Sequence, residues 1–388
     1  MLTIATMMGW LRHPRLLLLQ ASVCLLFVLI LATSSAGQRD RTAMQETSPA
    51  LRQSISDAAK KYRIPGIAAA LIEHGQIRAV EVFGMRDEKS GALVTVNTIF
   101  EAGSLGEPLY AYAVLRLAAD GRINPGSPLP SYFPLPYVRD LDALSLSSAT
   151  EPLYDPQFNQ ITAARVMNHT SRMPDWARGQ HLHLLLAPGQ KWSYSNEGYV
   201  YLQRVVEHIT AEPFDEFITR GILGLAHMSH SGFEWRGAYA SDMATGYDRS
   251  GSPVETHKYE RPAAAATLYA TIRDYAQFVA YLLASAPAQR AHESAVSLML
   301  NPTVTVDDAV PFSWGLGVGL EKVGDDLFFF HRENIPGFQS LMIASRKTGS
   351  GMVIFTNSSN GLDAMADILA ATLGGNHAIL NSSFLRSK

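Results

Sequence analysis

Apolar residues recur with helical spacing from Leu51 to Tyr62, and Ile64-Pro65-Gly66 then stops the helix and turns the chain. Two β-rich runs follow, Ile67 to Glu73 and Ile77 to Phe83, and the His74-Gly75-Gln76 turn between them predicts a hairpin. From Ser104 to about Gly251 the pattern is mainly helical, with Pro- and Gly-rich joints. Strand patterns return at Trp314–Leu320, Leu327–His331, Gln339–Ser345 and Met352–Asn357, and Leu362–Leu373 reads as a closing helix. Strands at both ends with helices between them predict an α+β fold: one antiparallel sheet flanked by terminal helices, with a mainly helical insertion. On this reading a sheet lobe spans 51–103 and 255–380, a helical lobe spans 104–254, and the site lies in the groove between them.

Composition narrows the class without naming a function. The chain has 388 residues, 47% hydrophobic and 17% charged, with a formal net charge of −3, which suits a globular protein with a large core and offers nothing to nucleic acid. Arg12 and Arg15 precede an apolar run from Leu16 to Ala32 and the small residues Thr33-Ser34-Ser35-Ala36, the order of a secretory signal peptide at 1–36; an uncleaved membrane anchor is the alternative. Residues 37–50 read as a linker. Either way the body is expected outside the cytoplasm, periplasmic or secreted, touching a membrane only through that segment. Cys24 is the single cysteine and lies inside the run, so the body has no thiol for catalysis or zinc ligation.

A series of short blocks carries the chemistry. Thr98-Ile99-Phe100-Glu101-Ala102-Gly103-Ser104 enters the helix that begins near Glu107; Asn168-His169-Thr170-Ser171 follows Ile161-Thr162; Tyr194-Ser195-Asn196 follows Pro188-Gly189; and His331-Arg332-Glu333-Asn334 precedes Pro336-Gly337-Phe338. In content and order these resemble the serine β-lactamase and penicillin-binding protein superfamily, most closely its class C-related branch, over nearly the whole chain after Ile64. The resemblance implies a β-lactamase/DD-peptidase-like fold and acyl transfer on an ester, amide or peptide. It makes Ser104 the nucleophile, Tyr194 its base, Asn196, His331, Glu333 and Asn334 substrate-binding positions, and the N–H groups of Ser104 and of the residue at or next to Asn334 the oxyanion hole. Lys347-Thr348-Gly349 looks like a further site motif but stands in a hairpin context, and it reads as a surface turn.

Three positions depart from that pattern. Glu107 stands where the resemblance expects a lysine one turn beyond the nucleophile, and a carboxylate there opposes forming an alkoxide or a phenolate nearby. Glu333 and Arg172 replace glycines. Two functions follow as expectations: a serine hydrolase weakened or silenced at Glu107, acting on a small molecule or peptide, or a degenerate module that binds cell-wall-like peptides. No cofactor and no metal is expected. A cation site built from Glu107, His331 and Glu333 is the outside reading, with two carboxylates and an imidazole as ligands. His169 is expected to be structural, and His181 and His183 to lie on the surface without an acidic partner.

Overall fold

The computed structural model describes residues 47–386, apart from 147, 148, 154, 185, 186, 260 and 308–311. The segment 1–36 with Cys24, and most of the 37–50 linker, lie outside the described residues. No helix among those described is long and apolar enough to cross a membrane.

Helix α1 (Pro49–Tyr62) starts two residues earlier than the hydrophobic pattern suggests, because Ser48 caps it, accepting from the Leu51 N–H at 3.3 Å, and proline opens its first turn. It ends where Arg63 adopts a left-handed φ of 56°. Strands β1 (Gly66–Glu73) and β2 (Gln76–Asp87) form the expected hairpin. Its turn residues, His74 and Gly75, both have positive φ (51° and 71°), as a tight two-residue connection requires.

The sheet is nine-stranded and antiparallel. With β3 (Ala92–Leu93), β10 (Val304–Asp307), β11 (Phe312–Trp314), β12 (Gly319–Val323), β13 (Asp326–Ile335), β14 (Phe338–Ser345) and β15 (Ser350–Thr356), its order is β10-β11-β12-β13-β14-β15-β1-β2-β3. The first and last parts of the chain therefore merge at the β1–β15 pair. Where one strand was expected over Trp314–Leu320 there are two, since Gly315-Leu316-Gly317 turns the chain, with Gly317 at φ 92°.

Both faces of the sheet are covered, which is why its central strands read as continuous apolar runs. Ile67, Ala69 and Leu71 pack with Leu51, Ile55, Met365 and Ile368 from α1 and the closing helix α8 (Gly361–Thr372). The alternate residues Ala68, Ala70 and Ile72 face the main core, shared with Tyr275, Phe278 and Val279 of α6 (Ile272–Leu283). The intervening region carries α3 (Ala163–Met167), α4 (Asn196–Thr210), α5 (Phe214–Ile218) and α7 (Arg290–Met299), and also two small two-stranded sheets, β5–β6 (Tyr137–Asp140 with Thr150–Leu153) and β7–β8 (Gly246–Tyr247 with Pro253–Val254).

Helix α2 (Gly106–Ala119) runs through the main core and is apolar on nearly every side, with Leu109 to Leu115 all buried. Its Tyr110 is fully buried among Tyr199, Phe214 and Phe217, and its hydroxyl has no hydrogen-bond partner among the described residues. Removing an unpaired buried hydroxyl while keeping the ring is stabilising, so Tyr110→Phe is expected to raise the unfolding free energy by about 1 kcal/mol in a denaturant titration.

Candidate active site

Ser104 sits at a corner between two elements. Strand β4 (Ile99–Gly103) pairs with β9 (Leu268–Thr271), Gly103 turns the chain at φ 42°, and α2 begins immediately after, with the Glu107 N–H donating to the Ser104 carbonyl at 3.0 Å. Ser104 is half-buried, whereas Glu107, one turn on, is wholly buried. A carboxylate in the first turn is favoured by the helix dipole, which partly offsets the cost of burying it.

The Tyr194 loop is fixed by the start of α4. The Ser195 hydroxyl accepts from the Gly198 N–H at 3.0 Å and donates to the Pro174 carbonyl at 2.9 Å. Tyr194 therefore packs its ring on His169, with centroids 4.3 Å apart, and its phenol stands close enough to Ser104 and Glu107 to feel both. Burial, and then the charge of Glu107, hold its phenol well above the usual range. Burial likewise raises Glu107, opposed by the His331 hydrogen bond and the neighbouring Tyr194.

Two buried histidines converge on one oxygen of Glu107. His331, on β13, places Nε2 3.1 Å from Glu107 Oε2 while its Nδ1 faces the Arg332 carbonyl at 3.1 Å. A carbonyl only accepts, so Nδ1 carries a proton, and a second proton is then shared between Nε2 and the carboxyl group. His169 comes from the other side, with Nε2 3.2 Å from the same oxygen but no aligned hydrogen bond. Its Nδ1 accepts from the Ser195 N–H at 3.3 Å, and burial pushes the ring down to about 3, so it is neutral. The other carboxylate oxygen, Glu107 Oε1, has no hydrogen-bond partner among the described residues.

Glu333 does not join this cluster. Its side chain turns towards the Ser104 corner, where Oε2 accepts from the Ser104 N–H and Oε1 accepts from the Asn334 N–H at 2.6 Å. The carboxylate thus chelates both backbone donors. Gly103 makes room for it: a Cβ there would lie 1.7 Å from Glu333 Oε2. Burial pushes Glu333 up to about 7, against the lowering effect of the Ser104 N–H.

The remaining expected residues are placed as follows. Asn196 is engaged by a loop carboxylate: its Nδ2 donates to Asp175 Oδ1 at 2.5 Å, and among the described residues its own Oδ1 has no partner. The Asn334 amide accepts from Gln339 at 2.6 Å, and so faces β14. Arg172 adopts a left-handed φ of 65°, a conformation natural to the glycine it replaces. Lys347 is exposed in the β14–β15 turn, far along the strands from His331. His181 does have an acidic partner, contrary to expectation, with Nδ1 2.5 Å from Glu151. Sequence reasoning missed His169 as a site residue and Asp175 altogether. The signal for His169 was its presence in a loop motif, but only the fold shows that the loop abuts α2.

Beside the site, an open cleft of about 1020 Å³ is lined by Trp176, Arg178, His257, Lys258 and Tyr259 among others. His257 binds Glu101 of β4 through Nδ1 at 2.9 Å, which ties this cleft to the strand that carries Ser104.

A serine at the corner between strand and helix, a Tyr-x-Asn loop and a facing strand on a covered antiparallel sheet define a serine hydrolase-like fold. The chain belongs to the β-lactamase family, which it matches over residues 51–375. It is similar to the protein flp of Staphylococcus aureus strain MRSA252, 22% identical over 309 residues, covering 77% of this chain and 60% of that protein. A β-lactamase from Pseudomonas fluorescens is 22% identical over 250 residues, 63% of this chain and 67% of the relative. Among solved structures, the octameric penicillin-binding protein homologue from Pyrococcus abyssi aligns with TM-score 0.68 at 18% identity, covering 84% of this chain and 77% of that one. The D-alanine carboxypeptidase AmpC from Burkholderia cenocepacia gives TM-score 0.68 at 18% identity, covering 83% and 98%.

Proposed function

We propose that this protein binds an acyl or peptide ligand outside the cytoplasm and that acyl transfer at Ser104 is suppressed. The observation that carries this reading is the Glu333 carboxylate seated on the Ser104 and Asn334 N–H groups, the two donors that the family resemblance assigns to the oxyanion hole. A neutral substrate carbonyl competes poorly for donors already held in charge-assisted hydrogen bonds. An oxyanion formed beside the carboxylate also meets repulsion: unit charges about 4 Å apart at an effective dielectric near 20 repel by about 4 kcal/mol. Glu107 adds to the suppression, because it supplies an anion where the resemblance places a lysine. The ligand class is supported by the adjoining cleft, whose aromatic and cationic residues suit a peptide with a free carboxylate, and by the description of one structural neighbour as a D-alanine carboxypeptidase.

A second reading, a weak esterase, is supported by the grouping of Ser104, Tyr194 and Glu107, which places a carboxylate base near the serine with a phenol beside it. Hydrolysis of an activated phenyl ester separates the two. The binding reading expects purified protein and its Ser104→Ala variant to give the same slow background rate. Turnover that disappears with Ser104→Ala would establish the esterase.

A further inference from the structure

We infer that Glu107, His169 and His331 form a binding site for a first-row divalent cation of the zinc class, independent of whether Ser104 reacts. The three side chains are fully buried, and one ligand atom from each lies within 4.8 Å of the other two. The two nitrogens are 3.2 and 3.1 Å from the carboxylate oxygen. Ligands about 2.0–2.1 Å from a common zinc ion at the tetrahedral angle stand roughly 3.3 Å apart, so small shifts would seat an ion.

Two further observations point to a ligand. His169 Nε2 is a buried polar atom with no hydrogen-bond partner among the described residues, a costly state that an ion bound to it would relieve. His331 has the orientation of a metal-bound histidine, with Nδ1 donating to a backbone carbonyl and Nε2 presented to the site. His169 is the weaker ligand: a ring bound through Nε2 carries its proton on Nδ1, and gives up the 3.3 Å contact from the Ser195 N–H. Three protein ligands leave the fourth position to a water or a bound ligand atom. Two neutral imidazoles, one carboxylate and a divalent ion sum to one positive charge, restoring beside Tyr194 the sign of charge that Glu107 alone reverses. The Glu333 carboxylate takes no part, because both its oxygens are held at the backbone of Ser104 and Asn334.

The test is metal retention. Protein stripped with a chelator, loaded with zinc and dialysed against zinc-free buffer should keep one equivalent by elemental analysis, and Glu107→Gln that retains its circular dichroism spectrum should keep none. Cobalt(II) added to the stripped wild type, which needs no variant, should give the intense visible bands of a four-coordinate nitrogen and oxygen site. A cobalt spectrum no different from the ion in buffer, with zinc below a tenth of an equivalent, would overturn the site. So would a folded Glu107→Gln that keeps its zinc. Neither readout depends on acylation, so this inference and the proposed function fail separately.

Discussion

Glu333→Gly is expected to make Ser104 acylable, accelerating its reaction with an activated ester or a β-lactam by about 10²- to 10³-fold, the effect usually seen for oxyanion donors. The substitution does two things at once. It releases the Ser104 and Asn334 N–H groups, now both bound to the carboxylate, and it removes an anion from the place where negative charge develops. Strand β13 already extends to Ile335 and pairs with β14 on its other edge, so a glycine at 333 leaves the backbone donors where they are. Mass spectrometry of the intact protein would read the adduct, and Ser104→Ala in the same background should abolish it.

Glu107→Lys, by contrast, is expected to restore nothing on its own and to destabilise the fold by about 3–5 kcal/mol, the range for breaking a buried ion pair. The lysine would satisfy the family motif in sequence, but Glu333 would still hold both N–H groups. Its ammonium would also stand at the positive end of α2, within the space where Glu107 now meets His331 and His169, and the imidazoles would lose their only acidic partner in that cluster. Thermal or denaturant unfolding measures the loss of stability. Only the double variant Glu107→Lys with Glu333→Gly should exceed Glu333→Gly in acylation rate. If Glu107→Lys alone became active, Glu333 would not be what closes the site.

Much of this was legible in the sequence. Alternation and turn residues placed the β1–β2 hairpin and the C-terminal strands, because a tight turn with His74-Gly75 and a period of two are local properties of the chain. The order of short motifs brought Ser104, Glu107, Tyr194 and His331 to one place, and the structure hydrogen-bonds His331 to Glu107 and sets the Tyr194 ring beside His331. What sequence could not give was the direction of individual side chains. Alternation put His331 and Glu333 on one face of a strand and suggested that both carboxylates join one cluster, yet Glu333 has two nearby N–H donors and goes to those. The place left beside Glu107 is taken by His169, whose backbone sits at a left-handed φ of 56° that no periodicity predicts. Asn196 was expected to face the catalytic position, but Asp175, a loop residue 21 positions earlier, captures its amide. Each of these is a competition between polar partners distant in sequence, decided only when the fold brings them together.

The central claim is that Glu333 keeps Ser104 from reacting. The most direct measurement is the rate of covalent labelling of Ser104 by a fluorescent β-lactam or activated ester in wild type, Glu333→Gly, and Glu333→Gly with Ser104→Ala, followed by intact mass. The account predicts no adduct on wild type, a stoichiometric adduct on Glu333→Gly, and none when Ser104 is also removed. Labelling of wild type at the rate of Glu333→Gly, or an adduct that survives the loss of Ser104, would contradict it.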